Sequence, residues 1–375
     1  MSNSTKNKIL IVGAGLSGAT IARVLAESDF CIHIIDKRDH IAGNAYDFVN
    51  NNNERIHKYG PHLLHCGKDS EALKFLSRYT DWINYEHKVT ALLKDGRYTP
   101  LPINQRTIED IFDMKFNKES EVKDFLDNLR NNKIKPKNTD QFFEASVGST
   151  LADIFFRPYT KKMWGIYTNQ LSIKVGSRLP VRTNLDSRYF NDNFQALPKN
   201  GYTSMVHNML DHKNIELSLS RNFYKEMESQ YDYCFLCIPI DKYYDYKFGI
   251  LPYRSIIFDN KIELKNDLPS PVVNFTDKEK YTRKTQWSLF PNSPIPLKEY
   301  RTITYEIPCS MDKNPGEYYY PVQTKESSKI YEKYNLLAKN NKKIMFCGRT
   351  GLFRYLDMIP AVQKHLKIAK DFINI

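Results

Sequence analysis

The segment Lys8-Ile-Leu-Ile-Val12-Gly13-Ala-Gly15-Leu-Ser-Gly18 constrains the fold more than any other part of the chain. Its unbroken apolar run reads as a strand buried on both faces. Glycines with G-x-G-x-x-G spacing follow at once, then a helix over Ala19 to Ser28 with Ile21, Val24 and Leu25 on one face. Cys31-Ile-His-Ile-Ile35 is the next strand, and Asp36 ends it, 23 residues after Gly13. Strand, glycine turn, helix, strand and acid in this order make a dinucleotide-binding βαβ unit. Gly13 permits the tight turn, Gly15 lets backbone N–H groups approach a pyrophosphate, and Gly18 allows close helix–strand packing. Asp36 suits ribose hydroxyls, which favours a cofactor without a 2′-phosphate.

Weaker signals organise the rest. A helix is expected over Ser70 to Arg78, and a hairpin over His87 to Pro102 around Lys94-Asp-Gly96. Residues 105–170 are helical by periodicity and hold no long strand. A further helix runs from Tyr202 to Leu210. Short strand-like runs with frequent Pro and Asn from Ile215 to Tyr320 suggest a mainly antiparallel sheet region. Lys343 to Cys347 is a closing strand, followed by Gly348-Arg-Thr-Gly351 and a last helix from Pro360 to Phe372. The expected class is mixed α/β: a discontinuous Rossmann-like domain with an inserted helical domain and an antiparallel sheet domain. The first takes residues 1–80, 195–235 and 335–375; the second 105–175; the third 81–104, 183–194 and 236–334.

Composition narrows the function. With 41% hydrophobic and 26% charged residues, the chain is globular rather than disordered. No apolar run approaches the ~18 residues of a membrane span. The N-terminus lacks the pattern of a secretory signal, so a cytoplasmic location is expected. Fifty-five basic against 43 acidic residues give a net charge of +12, which suits an anionic partner. The basic residues are too scattered for a nucleic-acid arm, and no nucleic-acid partner is expected. Cys234-Phe-Leu-Cys237 sits in a strand-like run without a second pair, so structural thiols are expected and no metal site. His57, His62 and His65 have no acid nearby to complete a metal set.

Lys37-Arg-Asp-His-Ile-Ala-Gly43-Asn44 after Asp36, together with Gly348-Arg349-x-Gly351, resembles the flavin-contacting motifs of FAD proteins of the glutathione-reductase type. A second G-x-G-x-x-G unit for a nicotinamide domain is missing. FAD is therefore the expected cofactor.

Several segments, in order along the chain, resemble the UDP-galactopyranose mutase family. They are His57-Lys-Tyr-Gly60-Pro-His62-Leu-Leu-His65, Leu101-Pro-Ile-Asn104, Tyr159-Thr-Lys-Lys-Met-Trp164-Gly165, Arg178-Leu-Pro-Val-Arg182, Tyr253-Arg254, Tyr281-Thr-Arg283, Tyr319-Tyr320-Pro321 and Gly348-Arg349-Thr-Gly351-x-x-Arg-Tyr355-Leu-Asp357-Met358. The resemblance implies a redox-neutral isomerisation between UDP-galactopyranose and UDP-galactofuranose, a sugar of cell-surface polysaccharides. In that family N5 of reduced FAD attacks the anomeric carbon and UDP is the leaving group. It implies a homodimer and an external reductant, NAD(P)H. Carried over, Gly13, Gly15, Gly18, Asp36, Lys37, Gly43, Asn44, His62, Arg349, Asp357 and Met358 would hold FAD. Arg178, on a mobile loop over residues 169–180, and Arg254 would meet the diphosphate, and with His62 they form the implied catalytic set. Tyr189 and Tyr320 would bond the phosphates, Tyr355 would lie near the sugar, and Trp164 would line the path. Phe155, Phe156 and Thr160 would bind uridine, and Asn104, Asn274, Arg283 and Glu306 complete the implied pocket.

The sequence departs from the family at Ala42, where glycine is usual, at Leu64 and Cys66, and at Lys284 to Phe290. These departures bear on the sugar more than on the chemistry. UDP-N-acetylgalactosamine or a related UDP-hexose is the alternative substrate. An FAD amine oxidase or desaturase is the alternative enzyme.

Overall fold

The computed structural model describes residues 7–131, 134–177 and 180–374. Its centre is a five-stranded parallel sheet in the order Ile215–Ser218, Cys31–Ile35, Lys8–Val12, Tyr233–Leu236, Ile344–Phe346. Lys8–Val12 is paired on both edges, and only Lys8 is exposed, as its apolar run requires. Ile9 and Ile11 enter the core on one face, Leu10 and Val12 the core on the other. The helices Leu16–Glu27 and Met358–Ile373 pack together beside this sheet, so segments from the two ends of the chain meet.

Three details differ from the sequence reading. The first helix starts at Leu16 instead of Ala19, because Gly15 is extended and its carbonyl already accepts the Ala19 N–H at 2.9 Å. Ile215–Ser218 and Tyr233–Leu236, inside the run read as mainly antiparallel though within the bounds of the first domain, join the parallel sheet: the former pairs with Cys31–Ile35 at one edge, the latter lies between Lys8–Val12 and Ile344–Phe346. The border expected after residue 334 falls inside the helix Lys325–Lys339, whose buried Tyr334 donates its hydroxyl to the Gly249 carbonyl at 2.8 Å.

A second sheet has seven strands in the order Tyr320–Pro321, Tyr253–Leu264, Tyr300–Ser310, Arg283–Gln286, Val272–Phe275, Val89–Leu92, Tyr98–Leu101. All its pairs are antiparallel except Val272–Phe275 with Val89–Leu92. A three-stranded sheet with Phe194–Pro198 at its centre lies between Leu64–Cys66 and Trp82–Asn84. The helices Gln105–Phe112, Glu119–Leu129, Thr139–Leu151 and Arg157–Trp164 form the helical region, with a π-helical stretch over Ala152–Phe156. No helix among the described residues is long and apolar enough to cross a membrane.

Candidate active site

Two cavities share a wall. The first, of about 700 Å³, runs over the C-terminal ends of the parallel strands. Among the expected cofactor residues, Gly13, Gly15, Gly18, Asp36, Lys37, Gly43, Asn44, His62, Arg349 and Met358 line it. The glycines are required by contact. A Cβ on Gly18 would overlap the Gly13 carbonyl, and one on Gly43, where φ is +56°, would stand 2.9 Å from the Gly15 Cα. The first helix has neither a side-chain cap nor an acid in its first turn, so its leading N–H groups are left for an anion. Asp36 accepts the Ala14 N–H at 2.8 Å and the Arg38 N–H at 2.9 Å, which ties the glycine turn to the second strand. Lys37 donates to the Gly316 carbonyl at 2.9 Å. A glycine-only cradle, an open helix N-terminus and a buried acid fit a dinucleotide. At Ala42, the departure from glycine sits at φ +66°, a left-handed conformation costing about 1–2 kcal/mol for alanine.

The second cavity, of about 630 Å³, lies between the helical region and the seven-stranded sheet. Asn44, His62, Arg349 and Met358 line both cavities, so these residues mark the junction. Cross-strand register sets two floor residues, Asn274 and Arg283, side by side. Ala91 faces Asn274, Asn274 faces Arg283, Arg283 faces Glu306 and Glu306 faces Phe258, a single row on one face of the sheet. Arg283 lies 2.7 Å from the fully buried Glu306. Burial opposes the guanidinium's charge, but Glu306, Tyr159 and Tyr320 outweigh it and hold the proton more tightly than in water. Helical spacing builds the roof: Tyr159, Thr160, Met163 and Trp164 share one face of Arg157–Trp164 and all line the cavity.

Tyr320 links the parts, stacking on Tyr355 with centroids 5.6 Å apart and meeting Trp164 edge-on at 6.1 Å. Tyr355 donates to Asp357 at 2.6 Å. Arg349 donates to the carbonyls of Tyr319 and Leu356 at 2.9 and 2.8 Å and lies 4.7 Å from the Tyr355 ring. At the junction His62 bonds the Gly60 carbonyl through Nδ1 at 2.8 Å. Burial, helped by His57, pushes its pKa down to about 3. The ring is therefore neutral, with Nδ1 as donor and Nε2 left as an acceptor.

Of the expected substrate residues, Phe156, Thr160, Trp164, Tyr189, Asn274, Arg283, Tyr320 and Tyr355 line the second cavity, as does Asp357 from the cofactor set. Asn104, Phe155, Arg254 and Glu306 stand outside the linings of both cavities. Asn104 is 1% exposed and caps the helix Gln105–Phe112 through a mutual bond with Thr107. Phe155 points into the core from the π-helical stretch. Arg254 was expected on the diphosphate. Here its guanidinium donates to the carbonyls of Met163 and Lys162, at 2.8 and 3.1 Å, closing the C-terminus of the helix that carries Trp164. Glu306 lies behind Arg283. Arg178 lies outside the described residues, while the loop before it is packed: Thr139 donates to the carbonyl of Ser172 at 2.6 Å. Sequence reasoning quoted Tyr159 in a motif but gave it no role; its signal was the four-residue helical spacing from Met163. It also missed His87, whose signal was alternation with Val89 and Ala91. Among the described residues, no group of three or more His, Cys, Asp or Glu side chains gathers as a metal site would need.

A family model for UDP-galactopyranose mutase matches residues 154–355, and one for an NAD(P)-binding Rossmann-like domain matches residues 11–79. The chain is 36% identical over 98% of its length, and 94% of the relative's, to a Klebsiella pneumoniae protein named "Probable UDP-galactopyranose mutase". It is 35% identical to a dTDP-fucopyranose mutase of Escherichia coli, covering 98% and 99% of the two chains. A crystal structure of reduced UDP-galactopyranose mutase superposes with a TM-score of 0.75 at 18% identity, covering 98% of this chain and 94% of that one, a likeness of fold alone. The chain therefore belongs to the UDP-galactopyranose mutase family, and with it to the isomerases.

Proposed function

We propose that the protein interconverts UDP-galactopyranose and UDP-galactofuranose with FAD as its cofactor. The observation that carries this reading is the junction at Asn44, His62, Arg349 and Met358, where the cavity over the glycine turn and Asp36 meets one lined by tyrosines and Arg283. Gly13, Gly15, Gly18 and Asp36 would hold the FAD pyrophosphate and ribose, and His62 and Arg349 the ring end. When bound and reduced by an external donor such as NAD(P)H, the flavin supplies an electron-rich ring nitrogen able to displace UDP from the anomeric carbon, with no net redox change.

The chain's own residues do the rest. Arg283 and the hydroxyls of Tyr189 and Tyr320 face the diphosphate, where negative charge grows as UDP departs. Arg178 would add a second guanidinium from the loop. Arg254 acts indirectly, fixing the helix end that sets Trp164. Trp164 and Tyr355 enclose the sugar and exclude water, and Phe156 and Thr160 meet the uridine. His62, neutral, offers an acceptor without adding charge beside an anionic cofactor. An amine oxidase needs an apolar tunnel for its substrate, which the Arg283 and tyrosine lining disfavours.

A second reading concerns only the sugar nucleotide. The relative acting on dTDP-fucopyranose is nearly as similar as the one named for UDP-galactopyranose, so a different hexose, including UDP-N-acetylgalactosamine, is compatible with the same chemistry. The test is chromatography of dithionite-reduced protein incubated with UDP-galactose, UDP-N-acetylgalactosamine and dTDP-fucose. Pyranose–furanose exchange without stoichiometric consumption of reductant is expected, best with UDP-galactose. Turnover by oxidised enzyme in air, or denatured protein that releases no FAD, would refute the reading.

A further inference from the structure

We infer that Lys162 is a positioning residue that holds the roof of the second cavity at a set distance from its floor; this rests on the mutase reading above. Lys162 lies in the helix Arg157–Trp164, among residues that line the cavity, yet does not line it itself. Helical spacing turns it away from the face that carries Tyr159, Thr160, Met163 and Trp164. Its side chain is 11% exposed and crosses to the seven-stranded sheet. Nζ donates to the Tyr281 carbonyl at 2.7 Å, and to the Phe275 carbonyl and the Asp277 carboxylate at 3.4 Å each. Three acceptors match the three donors of an ammonium. Burial works against the charge and pushes the Lys162 pKa down, with Asp277 and Glu279 opposing. A buried ammonium is tolerated only while such partners stay in place.

Those partners stand where the floor is made. Phe275 directly follows Asn274, Tyr281 comes two residues before Arg283, and Asn274 pairs with Arg283 across the two strands. Asn274 and Arg283 line the cavity. One ammonium therefore fastens the loop that joins the floor strands to the roof helix, two residues before Trp164. The other end of that helix is fixed within the helical region, where Arg157 bonds Asp140 at 2.9 Å, Asp153 at 3.0 Å, and Glu144. Arg254 also grips the C-terminal end, but by its backbone carbonyls, the Lys162 carbonyl among them, and from the strand Tyr253–Leu264. Lys162 is thus the side chain that joins Trp164's end of the roof to the strands that bear Asn274 and Arg283. In the mutase reading the diphosphate lies between Arg283 and that roof. A misplacement of about 1 Å in such a site costs on the order of 100-fold in rate.

The experiment compares FAD-loaded wild type, Lys162→Met, Lys162→Arg and Asp277→Asn. It uses the sugar nucleotide that the reduced wild type turns over fastest, and the free nucleoside diphosphate of that sugar nucleotide. The readouts are kcat and KM, diphosphate affinity from perturbation of the flavin spectrum, FAD content and melting temperature. Lys162→Met keeps the length of the stem and loses the charge. Well below its melting temperature and with full FAD content, it should lose roughly 10- to 100-fold in both kcat/KM and diphosphate affinity. Lys162→Arg, which keeps a cation within reach of the two carbonyls, should recover part of both. Asp277→Asn leaves those carbonyls in place and should stay within about fivefold of wild type. A methionine variant with a lower melting temperature but unchanged affinity and turnover would overturn the assignment, as would equal losses with methionine and arginine; either leaves the mutase reading intact. A wild type that turns over no sugar nucleotide would overturn both. If Lys162→Met does not fold, Lys162→Gln takes its place with the same outcomes.

Discussion

Glu306 is a carboxylate with no exposure, and Arg283 is its one close cation among the described residues. The pair is close at 2.7 Å yet not aligned as a hydrogen bond, so charge more than direction holds it. Removing one partner of such a pair leaves an uncompensated buried charge, whereas removing both is nearly neutral. Arg283→Met should therefore destabilise the fold by about 3–5 kcal/mol, and Arg283→Met with Glu306→Leu should recover most of that. The pH dependence has a definite sign. Burial pushes the Glu306 carboxyl up, with Arg283 opposing. Without Arg283 the upward push stands alone, so the folded state holds its proton to higher pH than the unfolded state does. The deficit of the single variant should shrink toward pH 4.5 and grow as pH rises. Urea denaturation across pH tests this, and a deficit independent of pH would rule the account out. Arg283 and Glu306 were both named from the sequence as pocket residues; their pairing was not legible, because only the register of two antiparallel strands sets Glu306 opposite.

Among the elements, the helix Thr139–Leu151 breaks its own rule. At Gly148 the backbone turns to φ +76°, ψ 171°, a region open in practice to glycine alone. A Cβ there would also overlap the Leu129 carbonyl at the end of the preceding helix. Gly148→Ala should cost about 2–3 kcal/mol by strain and overlap together. Gly96 is the control: its φ is +87°, but nothing lies within 4 Å of its missing Cβ, so Gly96→Ala should cost only about 1 kcal/mol. Thermal melts of the two variants should differ clearly, and equal losses would show that the contact with Leu129 does not matter. Periodicity marked residues 105–170 as helical without dividing them, and the Lys94-Asp-Gly96 turn marked the hairpin ahead of them. It did not show the π-helical stretch after them, nor the kink, where Gly148 lies against the end of the preceding helix.

Across the whole molecule, four histidines are held neutral in the interior. Burial pushes His57 and His365 down to about 4, and His62 and His87 down to about 3. His365 accepts the Gly348 N–H on Nε2 at 2.9 Å, so its neutral form ties the last helix to the cofactor cavity. Each contributes stability that is present above its unfolded pKa near 6.5 and is lost as pH falls toward 4. Together they should remove up to about 5 kcal/mol per pH unit between pH 6 and 4, with flavin released over the same range. Denaturation midpoints measured from pH 7.5 to 4.5, alongside flavin fluorescence, test this. Stability that stays flat through that range would show that these rings are already solvated.

What the sequence determined was local: the βαβ unit, the helices with a clear apolar face, and the motifs that hold glycine, aromatic and arginine side chains at set spacings. These depend on near neighbours, where the backbone's steric and periodic preferences act directly. The tertiary structure alone decided which of those side chains converge. Arg254 and Asn104 sit in motifs like the others, but the fold spends them on a helix end and a helix cap. Tyr159 and His87 reach the cavity because a helix face and a strand face meet across it. That meeting is set by packing between segments far apart in the chain, which no local spacing encodes.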